Sequence, residues 1–205
     1  MKVAVIGGGA AGFFSAIAVK DNYPQAHVVI YEKTEKLLSK VKISGGGRCN
    51  VTNGCKNISQ LSKAYPRGSK KLKKAFNTFN TSHTFEWFES RGVPLKIEAD
   101  GRAFPLSNSS QSIVDCLISQ TNKQNIQIKT GCSVKDIKAK KNKLELSFVN
   151  EHNQKMIFDK VIITCGGFPK KKGFEWLEKL GHTIIDPVPS LFTFNIPRNP
   201  IVELM

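Results

Sequence analysis

The sequence predicts an α/β fold in which a Rossmann-like parallel sheet is combined with an antiparallel β-meander crossover. First, Val3–Ile6 is an apolar run that stops at consecutive glycines, as buried parallel strands do. Second, Ala10–Val19 has helical apolar spacing and leads to another apolar run, His27–Tyr31, which completes a βαβ unit. Third, apolar residues alternate with a period of two from Ile126 to Phe158, which predicts one strand and a three-stranded meander.

The other elements follow from the same apolar patterns and from glycine and proline positions. The segment from Leu38 to Asn57 is rich in Gly, Ser and Asn and is expected to be a loop. The remaining predicted elements are helices at Ser69–Phe79, Ser82–Arg91, Gln111–Asn122 and Gly173–Gly181, and strands at Leu95–Ile97, Ala103–Phe104 and Val161–Thr164.

Length and composition limit the class of protein. The 205 residues suffice for one sizeable domain, or for one domain and the start of another. No apolar run approaches the roughly 20 residues that span a bilayer, and the N-terminus lacks a signal-peptide pattern, so we expect a cytoplasmic protein without a membrane partner. The five cysteines form no C-x-x-C pair, which predicts reduced thiols and no metal site.

The formal net charge is +15, and basic residues are concentrated at Lys70–Lys74, Lys138–Lys143 and Lys170–Lys172. Such clusters indicate either a surface for nucleic acid or an anionic substrate, or simply solvated faces. Lysine outnumbers arginine and no nucleic-acid motif is present, which favours solvated faces. A nucleic-acid partner is therefore not expected from the sequence.

The first glycine cluster fits the pattern G-x-G-x-x-G and lies between a predicted strand and a predicted helix. In this arrangement Gly7 permits a tight turn, Gly9 lets the backbone approach a pyrophosphate, and Gly12 allows close packing of helix and strand. The helix start at Ala10 and Ala11 offers unpaired N–H groups to phosphate. Glu32, twenty positions beyond Gly12, can accept hydrogen bonds from an adenosine ribose, which favours FAD or NAD over NADP.

A second cluster is formed by Ser44, Gly45, Gly46, Gly47, Arg48, Cys49 and Asn50. Three consecutive glycines are costly to order, so their backbone is expected to lie against something flat or charged. Arg48 supplies a fixed cation, and Asn50, Thr52 and Asn53 supply short polar contacts.

This second segment closely resembles the bacterial HI0933-like family, also described as aminoacetone-oxidase-like FAD-binding flavoproteins. Leu37–Asn53 is similar to the family's K-x-x-I-S-G-G-G-R-C-N-x-T-N block, and Asp100–Pro105 to its D-G-R-x-F-P turn. Thr164–Gly167 stands where the family has A-T-G-G. Leu180–Ile184 and Pro189–Leu191 resemble its L-G-H-x-I and P-x-L segments.

The resemblance implies a fold of the glutathione-reductase-like FAD-binding type, with FAD as the cofactor. It places the pyrophosphate at the first glycine loop and the ribityl and flavin half along Gly45 to Asn50. It also implies an adenine contact through the backbone of Val134, and an approach of Thr164, Gly166 and Gly167 to the dinucleotide near the first loop. Lys33 either flanks the adenine ribose or is simply exposed.

The implied function is FAD-dependent oxidation or reduction of an unidentified small organic substrate, with NADH or NADPH as the candidate reductant. The catalytic residues are not identified. Family members are about twice as long, so residues 1–187 are expected to be an FAD-binding domain that lacks a C-terminal return segment. Residues 188–205 would begin an inserted domain. By itself, the chain is then expected to lack enzymatic activity and to self-associate through the incomplete domain.

Three alternatives remain open on the sequence: an NAD-binding module without flavin, a flavin-dependent RNA-modifying protein, and an inactive truncated FAD-binding fragment. Individual side chains are also open to two interpretations. Cys49 is a redox residue or a small residue packed near the cofactor. His83 and His182 are acid–base groups or structural residues, and Arg102 binds an anionic substrate or supports its own loop.

Overall fold

The computed structural model describes residues 1–149, 155–168 and 170–188. Its strands are β1 (Lys2–Ile6), β2 (His27–Tyr31), β3 (Thr52–Asn53), β4 (Leu95–Ile97), β5 (Arg102–Pro105), β6 (Gln127–Lys129), β7 (Val134–Lys140), β8 (Lys143–Phe148), β9 (Lys155–Phe158) and β10 (Lys160–Ile163). Its α-helices are α1 (Ala10–Asn22), α2 (Ser39–Ile43), α3 (Ile58–Lys63), α4 (Ser69–Phe76), α5 (Thr81–Glu89), α6 (Ser110–Lys123) and α7 (Glu175–Glu178).

The predicted Rossmann-like parallel sheet is confirmed. Four strands pair in the order β10-β1-β2-β6, all parallel, and the first two strands have the predicted positions. Val3, Ala4 and Val5 of the central strand β1 are at most 1% exposed. This burial on both faces explains why β1 is continuously apolar rather than alternating.

Helix α1 covers one face of this sheet and carries the chain from β1 to β2. Phe13, Ala16 and Ile17 are fully buried, and Ile113 and Leu117 of α6 belong to the same core cluster. These α1 residues follow the helical spacing that the sequence shows. The start of α1 at Ala10, directly after the glycines, fixes where the helix N-terminus meets the first loop.

The predicted meander is present as an antiparallel sheet of three strands in the order β7-β8-β9. Tyr31 at the end of β2 joins it to the parallel sheet. The Tyr31 ring lies 4.9 Å from the ring of Phe148 and 6.0 Å from that of Phe158, and its hydroxyl donates a hydrogen bond to the sulfur of Met156 (3.1 Å). These contacts of Tyr31 therefore attach the carboxyl end of β2 to the meander.

The segment expected to be a loop, Leu38 to Asn57, contains helix α2 and strand β3, and helix α3 follows without having been predicted. Both helices are too short, at five and six residues, to show a full apolar period. Helix α3 is started instead by Asn57, whose side chain accepts a hydrogen bond from the Gln60 N–H (3.0 Å). Strand β3 pairs with β5, and β5 with β4, in a small antiparallel sheet.

Residues Met1–Cys165 and Gly166–Met205 form two separate units. In the described part of the second unit, the predicted helix at Gly173–Gly181 is instead a 3₁₀ turn, Lys171–Phe174, followed by the one-turn helix α7. The Trp176 indole N–H donates to the Gly173 carbonyl (2.9 Å), which closes this turn. The boundary expected at residues 187 and 188 stays a prediction, and the Pro189–Leu191 segment lies outside the described residues.

Phe104→Ala should be strongly destabilising because Phe104 is fully buried in β5. Removal of a buried aromatic ring typically costs about 3–5 kcal/mol. Chemical denaturation of the apo protein measures this loss. Leu106→Ala, at a site that is 59% exposed two residues on, is the matched control and should change the unfolding free energy by less than about 0.5 kcal/mol. Equal effects of the two substitutions would show that Phe104 does not belong to the core.

Candidate functional site

The first glycine turn leaves β1 in a conformation that only glycine adopts readily. Gly7 has φ +114°, and its N–H donates to the Tyr31 carbonyl (2.8 Å). A Cβ atom on Gly7 would lie 2.5 Å from the Thr164 carbonyl oxygen. The turn is therefore wedged between the ends of β2 and β10, and a side chain at this position has no space.

Gly12 closes the same turn from the helix side. A Cβ atom on Gly12 would lie 1.9 Å from the carbonyl oxygen of Gly7, far inside contact distance. The hydroxyl of Thr164 donates to the carbonyl oxygens of Ile6 (2.9 Å) and Gly7 (3.2 Å). Thr164 thus braces the first glycine loop, and the close packing predicted for Gly12 is present. The expected approach of Thr164 to the dinucleotide stays a prediction.

Gly9 differs from these two glycines because the fold itself does not require it. Its backbone is extended (φ −93°, ψ −173°), and a Cβ atom there would meet nothing within 4 Å. The next two residues, Ala10 and Ala11, are exposed, whereas Gly12 and Phe13, which follow them in α1, are buried. The N-terminus of α1 therefore faces open space with unpaired N–H groups, and this cradle fits the pyrophosphate of a dinucleotide.

Glu32 lies beside this cradle at the end of β2. Its Oε2 accepts a hydrogen bond from the Gly8 N–H (2.8 Å), and its Oε1 accepts from the N–H (2.9 Å) and hydroxyl (3.0 Å) of Thr34. Partial burial raises the pKa of the Glu32 carboxyl, but these hydrogen bonds outweigh burial, and the pKa lies below its usual value. A carboxylate has about four acceptor positions, so it can still accept from a ribose hydroxyl.

The second glycine segment is physically attached to the first. The Leu38 N–H, immediately before α2, donates to the Gly8 carbonyl (2.9 Å). After α2, the chain passes through three consecutive left-handed glycines, Gly45 (φ +58°), Gly46 (φ +66°) and Gly47 (φ +84°). A Cβ atom on Gly46 or Gly47 would meet nothing within 4 Å. These two glycines thus present bare backbone on an open side, as expected for a segment that lies against a ligand.

Arg48 is held in place by residues of the neighbouring hairpin. Its guanidinium donates to Glu98 Oε1 (2.6 Å) and lies 4.0 Å from the centre of the Phe104 ring. Phe104 also packs against Gly45, where a Cβ atom would lie 2.9 Å from the ring. We therefore interpret Arg48 as a residue that positions the second glycine segment, because Glu98 already balances its charge.

Both glycine segments line one largely apolar cavity of about 460 Å³. Ala10 and Ala11 contribute from the start of α1, and Ser44, Cys49 and Asn50 contribute from the second segment. Phenylalanines of α1 and α5, together with Ile113 and Leu117 of α6, complete the walls. The arrangement can accept a long ligand with an anionic part at the helix terminus and an apolar part in the cavity.

The Cys49 side chain is buried, and burial raises the pKa of its thiol. A protonated thiol is a poor nucleophile and a poor redox group, which favours its interpretation as a small packed residue. The Asn50 amide, oriented with its nitrogen toward two carbonyls, donates to Thr52 (3.0 Å) and Ala103 (3.3 Å). Asn50 therefore ties the second segment to β5.

Four further expected site residues lie elsewhere in the chain. Val134 begins β7, directly before a register shift in the pairing with β8, and Lys33 is exposed. Gly166 and Gly167 are exposed and begin the second unit. Their proposed contacts with a dinucleotide stay predictions.

Of three side chains that were open to a chemical role, two have structural partners and the third is exposed. His83 Nδ1 accepts from the Asn80 N–H (3.1 Å) and completes a capping box at the start of α5. Arg102 pairs with Asp100 (2.6 Å) within its own turn. His182 is exposed.

Sequence reasoning missed Thr34, Leu38 and Lys40. The first two bond to Glu32 and Gly8, and Lys40 lines the cavity. Thr34 could have been found from its position two residues after an acidic strand end, where a hydroxyl commonly bonds locally. The contacts of Leu38 and Lys40 depend on how α2 folds back onto the first loop, which no local pattern encodes.

Among the residues that the structure describes, no helix is long and apolar enough to cross a membrane. In the same ranges, no three His, Cys, Asp or Glu side chains are grouped so that they could hold a metal ion.

The strand–glycine turn–helix unit, the acidic residue at the end of β2 and the meander together define a Rossmann-type dinucleotide-binding protein. Residues 1–189 match the family described as the HI0933-like protein Rossmann domain. The chain belongs to this family, whose members bind FAD.

Three similar proteins illustrate the relationship. The 3-dehydro-bile acid delta(4,6)-reductase of Clostridium scindens is 28% identical, over 98% of this chain and 49% of its own. The ribosomal RNA dihydrouridine synthase of Escherichia coli is 26% identical, over 98% of this chain and 49% of its own. The chain thus spans about half the length of these curated relatives. The crystal structure of 3-ketosteroid-delta4-(5alpha)-dehydrogenase from Rhodococcus jostii superposes on this chain with a TM-score of 0.58 at 14% sequence identity. The match covers 84% of this chain and 47% of the dehydrogenase chain, and it shows a similarity of fold alone.

Gly9→Ala and Gly12→Ala should separate ligand binding from folding. The methyl group at residue 12 would collide with the Gly7 carbonyl, so we expect a loss of roughly 2 kcal/mol or more in the stability of the apo protein. The methyl group at residue 9 meets no protein atom but occupies the approach to the helix terminus. It should leave apo stability within about 0.5 kcal/mol and weaken FAD binding by about tenfold or more. Thermal unfolding and FAD titration measure the two effects. Unchanged FAD affinity in Gly9→Ala would place the phosphates elsewhere.

Glu32→Ala should weaken FAD binding by about ten- to a hundredfold, because charge-assisted hydrogen bonds are worth roughly 1.5–3 kcal/mol. Glu35→Ala is the matched control, since it removes the same charge three residues on, from a side chain bonded to Thr130 rather than to the glycine loop. Because the Glu32 carboxyl has a lowered pKa, FAD affinity should stay constant through the pH range in which an ordinary glutamate titrates and should fall only at more acidic pH. Equal losses of FAD affinity in the two variants would show that the effect comes from removing a negative charge and not from a contact of Glu32 with the ribose.

Proposed function

We propose that the whole protein is an FAD-dependent reductase that acts on a carbon–carbon double bond next to a carbonyl group. The observation that carries this proposal is the convergence of the two glycine segments on one cavity. An open helix N-terminus and an acidic strand end suit the ADP half of FAD. The bare left-handed backbone and the apolar walls suit the larger flavin half.

The residues of this chain would bind and orient the cofactor. The N–H groups at the start of α1 hold the pyrophosphate, and Glu32 holds the adenosine ribose. Gly46 and Gly47 lie against the flavin half, while Arg48, Phe104 and Glu98 fix the segment that presents them. The walls formed by α1, α5 and α6 exclude water from the apolar end of the cavity.

The names of the two curated relatives support the type of reaction. One relative reduces the delta(4,6) double bonds of a 3-dehydro bile acid, and the other converts uridine of ribosomal RNA to dihydrouridine. In both reactions, each carbon–carbon double bond that becomes saturated takes up two electrons and two protons. Reduced FAD, when bound, supplies a hydride to one carbon. A proton from solvent completes the other carbon, and NADH or NADPH is the proposed source of the two electrons.

The two relatives differ in the size of their substrates. The bile-acid relative favours a small organic substrate, which the flavoprotein resemblance also implies. The dihydrouridine relative favours the alternative of an RNA-modifying protein. The expectation that the 205-residue chain is not a competent enzyme by itself also stays a proposal.

Cofactor analysis and a reoxidation assay on the natural full-length protein test this function. The supernatant of the boiled protein should contain FAD, and finding only FMN or NADP would contradict the proposal. After anaerobic reduction by NADPH, the flavin absorbance should return on addition of an unsaturated 3-keto bile acid or a uridine-containing RNA, but not of the saturated analogues. A flavin that is reoxidised by neither unsaturated compound would contradict the proposed reaction class.

A further inference from the structure

The positive charge of this protein is concentrated in one continuous segment. Residues 36–85 contain eleven lysines and arginines and no aspartate or glutamate. The other 155 residues contain 20 basic and 16 acidic side chains. Of the net charge of +15, this segment therefore contributes +11. The same segment contains the second glycine cluster.

Helix α4 carries the densest part of this charge. Its Lys70, Lys71, Lys73 and Lys74 are all exposed, whereas Leu72 and Phe76 are half-buried on the side that packs against α3. Within the described residues, only Arg48 among the eleven basic side chains lies within 4 Å of a carboxylate. The outer face of α4 thus presents cations that no carboxylate of the described residues neutralises.

The other two lysine clusters differ in this respect. Lys138 and Lys143 pair with Asp136 (3.9 Å) and Asp159 (3.2 Å), and Lys155 pairs with Glu145 (3.5 Å) across the meander. Lys171 pairs with Glu178 (3.5 Å) and Asp186 (3.6 Å). These clusters are mixed-charge surfaces, as the interpretation of solvated faces predicts. The α4 cluster is not.

Aromatic and amide groups connect the basic helix with the flavin side of the site. Tyr65, between α3 and α4, is 41% exposed, and its ring lies 5.6 Å from that of Phe76. Both rings line a cavity of about 340 Å³, which they share with Asn50 and Asn53 of the second segment. A planar ring that stacks at Tyr65 would therefore lie beside the chain that borders the proposed flavin position.

We propose that residues 56–76 bind the phosphate backbone of single-stranded or looped RNA and guide an unpaired base toward this cavity. This inference rests on the proposed function and names its substrate class. Unneutralised lysines bind phosphates, and an exposed aromatic ring stacks with unpaired bases. A membrane surface fits less well, because Leu72 and Phe76 of α4 are half-buried and its exposed residues are four lysines and one alanine. The similarity to two ribosomal RNA dihydrouridine synthases agrees with an RNA partner.

The test compares two triple variants of the full-length protein. Lys70, Lys71 and Lys74 are replaced by Gln on α4, and Lys135, Lys138 and Lys140 are replaced by Gln on β7 as a control with the same loss of charge. Binding of a fluorescent RNA stem–loop with a uridine-rich loop is followed by anisotropy over a range of salt concentrations. FAD content and thermal stability are measured for each variant.

The α4 variant should bind the RNA at least about tenfold more weakly, and its slope of log affinity against log salt should be smaller by about 2, since each phosphate contact to a single strand contributes about 0.7. The β7 variant should lose less than about threefold. Tyr65→Ala should weaken binding by about tenfold without changing the salt slope, because a lost stacking contact releases no counterions.

Three outcomes would overturn the inference: equal losses in the two triple variants, tighter binding of fully paired RNA than of the loop, or binding of phosphatidylserine vesicles without binding of RNA. FAD content separates this inference from the proposed function. A protein that retains FAD but fails to bind RNA contradicts only the inference, whereas a protein without FAD contradicts the proposed function.

Discussion

The structure depends on the contact between Gly7 and Gly12 at the turn between β1 and α1. A Cβ atom at residue 12 would lie 1.9 Å from the Gly7 carbonyl, so the helix can approach the strand this closely only because residue 12 is glycine. Glycine is required at residue 7 because its φ is +114° and a Cβ atom there would lie 2.5 Å from the Thr164 carbonyl oxygen. This closeness aims the N-terminus of α1 at the carboxyl ends of β1 and β2. Thr164, directly after β10, and Tyr31, the last residue of β2, hydrogen-bond to the same turn and hold it from both sides. The open helix terminus that we propose as the phosphate site is thus a consequence of how the sheet and helix pack.

A second level of organisation is built on this turn. The Gly8 carbonyl receives the Leu38 N–H, which anchors the segment leading into α2 and the three left-handed glycines. The opposite side of that segment is fixed by Phe104, over which Arg48 lies while it pairs with Glu98. The hairpin of β4 and β5 is distant in sequence, yet it fixes the backbone that we place against the flavin. The basic surface of α4 continues from this segment, so cofactor and substrate contacts would come from one stretch of chain.

Much of this arrangement could be predicted from the sequence because it is encoded locally. The glycine spacing, the apolar run of β1 and the acidic end of β2 report directly on the turn, and the structure has each in its expected place. Helices α2 and α3 could not be predicted because they are too short for a periodic pattern. The partner of Arg48 could not be predicted either, since Glu98 is fifty residues away. The sequence also could not show that the α4 lysines differ from the other lysine clusters. That difference rests on ion pairs with acidic residues, which the structure gives for the other clusters.

The central claim is that both glycine segments hold one cofactor, and amide hydrogen exchange with and without FAD tests it most directly. The account predicts that FAD slows exchange in peptides that cover Gly7–Gly12 and in those that cover Ser44–Asn50. The turn between β7 and β8, which lies far from both segments in the sequence, should exchange at the same rate in the two states. Protection confined to Gly7–Gly12 would contradict the account, because it would mean that the chain holds the ADP half of the cofactor and leaves the flavin half untouched.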